Sequence, residues 1–180
     1  MSCRRVPILP KLTLVLGGAR SGKSVYAEGL IEEQGAGLYL ATAEARDGEM
    51  AERIRRHRER RDNRWQTVEE PLELARALEL NASPNRPILA DCLTLWLGNL
   101  MEAGRDVDSE TKALVGCLGG LPGAVVFVSN EVGLGIVPET RLGRAFRDHA
   151  GRLNQAVAAA ADRVVFVAAG LPLMLKDCRP

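Results

Sequence analysis

The sequence predicts an α/β sandwich, with helices on both faces of a mainly parallel β-sheet. Three observations carry the prediction. Along 180 residues, five short apolar, β-branched runs alternate with segments of helical pattern. The runs are continuously apolar rather than alternating, which suits parallel strands covered on both faces. The composition, 46% hydrophobic and 26% charged, is that of an ordinary globular chain with enough apolar residues for a proper core. No repeat, low-complexity tract or composition break marks a second domain, so residues 1–180 are read as one.

The elements follow in order. "LTLVL" (12–16) is the first strand, and a helical pattern occupies 23–34. "LYLAT" (38–42) is the second strand, followed by a helical, arginine-rich segment over 47–61. "WQTV" is a candidate short strand or hairpin, and helical pattern resumes over 71–80. "PILAD" (87–91) is the third apolar run, followed by helices over 92–103 and 109–119. "AVVFVS" (124–129) is the fourth, a long helical pattern covers 139–161, and "RVVFVAA" (163–169) is the fifth. "LPLML" near the C-terminus is a second candidate for a short strand or hairpin.

Between the first strand and the first helix the chain reads G-x-x-x-x-G-K-S, from Gly17 to Ser24. Strand before and helix after are the context in which this motif binds the phosphates of a nucleoside triphosphate. Gly17 and Gly22 let the backbone curl so that successive N–H groups face phosphate oxygens. Gly18, Ala19, Arg20 and Ser21 complete the loop; Lys23 brings a mobile charge to the β/γ-phosphates, and Ser24 a hydroxyl for Mg²⁺. The helix that begins here aims its N-terminus at the same anion. The fold class is therefore a P-loop NTPase-type three-layer sandwich.

Two carboxylates end apolar runs. Asp91 falls at the carboxyl edge of the sheet, where ligands of open α/β sheets collect. It has two readings, a ligand of Mg²⁺ directly or through water, and an N-cap for the helix that starts at Cys92. Glu131 emerges at the same edge, as a base, a substrate ligand or a solvated loop residue.

Composition excludes several classes. The net charge is +1, too balanced for a protein that binds nucleic acid through bulk charge, and only 4% of residues are aromatic. No run has the length of a membrane span, and "MSCRRVPILPK" lacks a signal-peptide core. Cys3, Cys92, Cys117 and Cys178 lack metal-ligand or C-x-x-C spacing. A reducing, cytoplasmic location is expected.

The block "VSNEVGLGIVPETRLGRAFRDHAGRLNQ" (128–155), with "GGARSGKS", "EMAERIRRHRERR", "EEPLEL" and "DCLTLW", resembles the adenosylcobinamide kinase/adenosylcobinamide-phosphate guanylyltransferase family. The resemblance runs from Leu12 to about Leu175, and the 128–155 block carries most of its specificity. It implies a RecA-like sheet, a homo-oligomer (a trimer) and two reactions. A nucleoside triphosphate, ATP or GTP, phosphorylates the aminopropanol hydroxyl of adenosylcobinamide. GTP then gives GMP to a histidine, which passes it to adenosylcobinamide phosphate to form adenosylcobinamide-GDP. His57 is the residue that matches the family histidine, and Arg56 stands where some members carry a second one. The resemblance also places Glu69 at GTP, with Asp91 near the phosphates.

Spacing bears on His57 independently. "RIRRHRERR" (53–61) holds six arginines and one histidine, and on a helix Met50, Ile54, His57 and Arg61 share one face. Arg53 and Arg60 flank His57 and could clamp a triphosphate, and neighbouring cations favour a neutral, nucleophilic imidazole. Spacing alone suits a half-buried, hydrogen-bonded histidine; the resemblance turns the reading to a nucleophile. His149 lies in a stripe with Leu142, Phe146 and Leu153 and reads as structural. Glu69 and Glu70 also suit a helix start, and Thr42, ending the second strand, is placed near the nucleotide. A kinase of another small metabolite would share Gly17 to Ser24 and Asp91 without needing His57, and a RecA-like ATPase module is a third reading.

Overall fold

A computed structural model of the chain describes residues 9–44, 48, 52, 55 and 64–178. Strands β1 (Leu12–Gly17), β2 (Gly37–Ala41), β3 (Trp65–Glu69), β4 (Ile88–Asp91), β5 (Val125–Asn130), β6 (Arg163–Ala168) and β7 (Leu171–Asp177) form one sheet in the order β3-β2-β4-β5-β1-β6-β7. Every pairing is parallel except β6 with β7. Helices α1 (Lys23–Glu32), α2 (Leu74–Asn81), α3 (Leu93–Glu102), α4 (Val107–Leu118) and α5 (Arg141–Ala160) cover it.

The continuous apolar runs are explained by two cores. Alternate residues of each strand point to opposite faces. Leu14, Leu16, Leu40, Ile88 and Phe127 pack with Trp96 and Leu97 of α3, Leu114 of α4 and Leu153 of α5. On the other face Val15, Tyr39, Leu89, Val126 and Val165 pack with Ala27 and Ile31 of α1. A strand buried on both sides has no position where a polar residue is cheap.

The five expected strands all form, and the two further candidates resolve differently from each other. "WQTV" is no hairpin but the parallel edge strand β3, fixed by an edge-on packing of Trp65 against Tyr39 with ring centroids 6.3 Å apart. "LPLML" lies in β7, which folds back on β6 through a turn at Ala169 and Gly170, φ 51° and 78°. The helix expected from residue 71 starts at Leu74, because the Glu70 carboxylate takes the N–H groups of Leu72 (3.0 Å) and Glu73 (2.9 Å) ahead of it.

The expected core stripe on α5 is only half formed. Leu153 is buried and Phe146 packs against the core, but Leu142 is 69% exposed. His149 is partly exposed; its Nδ1 lies 3.0 Å from Arg152 Nη2 and 3.8 Å from the Asp108 carboxylate. Of the helix expected over 47–61, Gly48, Glu52 and Arg55 are helical. Arg55 makes two bonds to Glu52, at 2.8 and 2.7 Å. His57, Arg53 and Arg60 lie outside the described residues.

Candidate active site

Parallel strands end at one edge, so the loops after β1, β2, β3, β4 and β5 gather there. Register fixes their levels. Gly17 pairs with Asn130, Asp91 with Val128, and Ala41 with both Asp91 and Glu69. With β5 between them, the tips of β1 and β4 stand two strand spacings apart, roughly 10 Å.

The loop from Gly17 to Ser24 is held from beneath. A Cβ on Gly17 would lie 2.5 Å from both Ser21 Oγ and the Val167 carbonyl oxygen, so only glycine fits. Arg20 (φ 57°) and Gly22 (φ 94°) are left-handed, the kind of backbone that turns successive amides inward to form an anion-binding concavity. Gly22 is the N-cap of α1, without a side-chain cap bond, so the first amides of α1 face the loop. Lys23 is 6% exposed, its Nζ bonded to the Gly18 carbonyl at 3.2 Å across the loop. Ser21 Oγ is buried with no partner among the described residues. Ala19 and Arg20 are exposed at the rim, and Ser24 is partly buried on the first turn of α1.

Asp91 ends β4, and its Oδ2 accepts the Tyr39 hydroxyl at 2.9 Å. It does not cap α3, whose N-cap is Cys92. Of the two sequence readings, the cap falls away. The Cys92 thiol is pushed up to about 11, first by burial and then by the neighbouring Asp91 carboxylate; the Lys23 ammonium pulls it the other way. Cys92 is therefore a protonated, unreactive thiol near neutral pH, and Lys23 is within electrostatic reach of the β4 tip.

Thr42 is fully buried at the same edge, but its hydroxyl is occupied. It donates to the Cys92 carbonyl (2.8 Å) and accepts from the Cys92 N–H (2.9 Å), clamping the end of β2 to the β4–α3 junction. Asn99 Nδ2 bonds to the Thr42 carbonyl at 2.8 Å. Thr42→Val should therefore cost about 1–3 kcal/mol, because the buried Cys92 N–H loses its partner and the Cys92 carbonyl keeps only the Trp96 N–H. Thermal denaturation checks this; an unchanged Tm would contradict the clamp. Glu69 ends β3, exposed, while Glu70 beside it is the acid that organises the start of α2.

Glu131 follows β5. Its N–H donates to the Gly17 carbonyl at 3.1 Å and its Oε1 accepts from Gly133 N–H at 2.6 Å, so it shapes its own loop. It also lines a groove of about 450 Å³ between α5 and strands β1, β6 and β7, with Leu16, Gln155 and Leu175.

One network escaped the sequence reading. Asn130, at the tip of central β5, donates from its backbone N (2.7 Å) and Nδ2 (3.1 Å) to Thr94 Oγ1. Asn154 Nδ2 donates to the Asn130 carbonyl at 3.2 Å, and Ser129 Oγ donates to Asn154 Oδ1 at 2.7 Å. Ser129, Thr94 and Asn154 are all buried. Satisfied buried polar groups of this kind fix a unique geometry. The network explains why "SNEVG" and "RLNQ" occur in one recognisable block: the two ends of the block bond to each other. A buried asparagine in α5 was the available signal, but its partners are far off in sequence.

The oxygen donors at this edge suit Mg²⁺, which keeps several waters and takes one or two protein oxygens besides phosphates. Ser24, on the first turn of α1, and Asp91, at the end of β4, carry oxygens of this kind. No group of three or more His, Cys, Asp or Glu side chains that could hold a metal occurs among the described residues. No described helix is long and apolar enough to cross a membrane.

Comparison with known proteins bears on the whole chain. The family model described as Cobinamide kinase / cobinamide phosphate guanyltransferase matches residues 13–175. The Bifunctional adenosylcobalamin biosynthesis protein CobP of Pseudomonas aeruginosa is 53% identical over 166 residues, covering 91% of this chain and 96% of that protein. The Bifunctional adenosylcobalamin biosynthesis protein CobU of Escherichia coli is 42% identical over 180 residues, covering 92% and 99%. Among solved structures, a Pyrococcus horikoshii OT3 protein matches with a TM-score of 0.57 at 8% identity, covering 95% of this chain and 88% of that one, a likeness of fold.

Proposed function

The chain belongs to the cobinamide kinase/cobinamide phosphate guanyltransferase family, and from that membership we propose how its residues divide the two transfers. Its activities are cobinamide kinase and cobinamide phosphate guanyltransferase. The observation that carries the kinase assignment is the G-x-x-x-x-G-K-S loop of Gly17 to Ser24, with Lys23 and Asp91 at one sheet edge.

In the kinase step the substrate is adenosylcobinamide and the donor ATP or GTP. The aminopropanol oxygen attacks the γ-phosphorus, its proton leaves, and the bond from γ-phosphorus to the β–γ bridging oxygen breaks to release the nucleoside diphosphate. The amides of Gly17 to Ser24 hold the β- and γ-phosphates in line, and Lys23 neutralises charge on the moving phosphoryl group. Ser24 and Asp91 are the residues that would hold Mg²⁺, which would neutralise charge developing on the phosphates. Tyr39, by donating to Asp91 Oδ2, fixes the carboxylate that would face the ion. Thr42 enters as a positioning residue, holding the β4–α3 junction on which Asp91 stands.

In the guanylyl step the imidazole of His57 attacks the α-phosphorus of GTP and pyrophosphate leaves, giving an N–P bonded GMP. A phosphate oxygen of adenosylcobinamide phosphate then attacks the same phosphorus, forming adenosylcobinamide-GDP and freeing the imidazole. Glu69, exposed at the tip of β3, is assigned to GTP. Arg53 and Arg60 are assigned to its phosphates, with Arg55 set aside because it is engaged by Glu52.

Single-domain organisation and subunit association belong to the same reading. Leu134, Ile136, Val137 and Leu142 are large apolar side chains between 56% and 98% exposed, the kind of surface that association covers. Cys92, Cys117 and Cys178 are free thiols, which supports a cytoplasmic location.

The experiment on the metal role is Asp91→Asn. The change keeps size and removes charge, so Mg²⁺-dependent turnover should fall roughly ten- to a hundred-fold, while nucleotide binding changes less. Kinetics across a Mg²⁺ titration that match the parent protein would remove Asp91 from the metal site.

A further inference from the structure

We propose that the β6–β7 turn, Ala169 and Gly170, positions the nucleotide loop: the Gly170 N–H, by holding the Ser21 carbonyl, aims the Gly22 amide at the phosphates. The bond from Gly170 N to Ser21 O is 2.8 Å long. The Ser21 carbonyl and the Gly22 N–H belong to one peptide unit, and in a trans peptide they point in opposite directions. Pinning the carbonyl toward the hairpin therefore turns the Gly22 N–H away from it.

Two further contacts show that the hairpin end is seated on the loop. A Cβ on Gly22 would lie 3.1 Å from Gly170 Cα, so even a methyl there would press on the turn. A Cβ on Gly17 would lie 2.5 Å from the Val167 carbonyl oxygen, at the end of β6. The turn has the shape this contact needs. Ala168 pairs with Leu171, so Ala169 and Gly170 are its two central residues, both left-handed, as in the tight hairpin turns that match strand twist. β7 is an edge strand with Leu171, Leu173 and Leu175 more than half exposed, so its apolar packing is slight. The contact of its turn with the loop is the feature that ties it to the site.

The inference rests on the reading of Gly17 to Ser24 as the nucleotide seat, and the test separates the two. Gly170→Val puts a β-branched residue at φ 78°, a region it avoids, and so displaces the N–H. Gly170→Asn keeps the amide and tolerates this φ. The valine variant should raise KM for the nucleoside triphosphate about ten-fold, the scale of one lost hydrogen bond, with kcat and KM for adenosylcobinamide within about two-fold. The asparagine variant should stay within about two-fold of the parent in all three. A purely structural turn would instead lower kcat through the folded fraction and leave the nucleotide KM alone.

Insertion of one glycine after Ala169 moves the same N–H without placing a β-branched residue at positive φ. It should reproduce the KM shift if the valine variant fails to fold. The inference is overturned by an unchanged nucleotide KM in a folded valine or insertion variant, or by an asparagine variant as impaired as valine. Lys23→Ala assayed in parallel keeps the premises apart. If it retains full turnover, the nucleotide-loop reading fails; if it is inactive while the displaced turn is harmless, only the role of Gly170 fails.

Discussion

Lys23→Ala lowers cobinamide phosphorylation by about a hundred- to a thousand-fold, the cost of removing one preorganised charge from a phosphoryl-transfer site. Three features set the size. Lys23 is 6% exposed, so its ammonium acts in a medium that screens charge poorly. Its Nζ already spans the loop to the Gly18 carbonyl, the loop that seats the phosphates in the proposed complex. Lysine stands at only four positions in this arginine-rich chain, and Lys23 is the one in the loop, where a compact point charge is wanted rather than a planar fork. The fold should survive, because alanine is a good helix former on the first turn of α1. Steady-state assay with γ-labelled triphosphate, beside circular dichroism, checks both halves. Near-normal phosphorylation by the variant would remove the loop from the kinase mechanism. Guanylyl transfer should also weaken if, as proposed, the two steps draw on shared nucleotide-binding groups.

His57→Ala abolishes GMP transfer and covalent labelling while leaving kinase turnover within about three- to five-fold of the parent, given that uniform binding contacts affect KM before kcat. In the proposed mechanism the two chemistries have different attackers. A substrate hydroxyl attacks in the kinase step, and Lys23, Ser24 and Asp91 remain in place for it. In the proposed guanylyl step the imidazole is the attacker, and alanine offers none. The sequence puts His57 on the apolar face of its helix, so truncation could cost about 1–3 kcal/mol and the folded fraction is measured first. Loss of both activities in a folded variant would make His57 a general nucleotide-binding residue. A retained adduct would point to His149, the other histidine in the chain. The surroundings of His149 argue for a structural part instead: its Nδ1 sits with Arg152 and Asp108 on the flank of α4 and α5.

What could be read from residue order was whatever is local. The β1–loop–α1 unit is legible because its apolar run, glycines and lysine lie within thirteen residues, from Leu12 to Ser24. Asp91 is legible because a carboxylate after a buried run has one place to go in a parallel sheet. The use of Thr42 was not legible, since its hydroxyl is taken by the backbone of Cys92, a partner set by the pairing of β2 with β4. The Thr94–Asn130–Asn154–Ser129 network and the Gly170–Ser21 bond join segments that meet only once the sheet order is known. The α5 stripe misled for the same reason. Periodicity shows which residues share a face but not how far that face is covered, and cover stops short of Leu142. β3 and β7 were ambiguous because edge strands carry weaker burial patterns than central ones.

The proposed two-step guanylyl transfer is tested most directly by incubating the protein with GTP radiolabelled at the α-phosphorus and Mg²⁺, denaturing it, and following the label that stays on the chain. A GMP–histidine phosphoramidate should give label that is lost in acid, retained in base, absent from His57→Ala and released on addition of adenosylcobinamide phosphate. Acid-stable label, or active GMP transfer with no label retained at any time, would contradict a guanylyl-histidine intermediate.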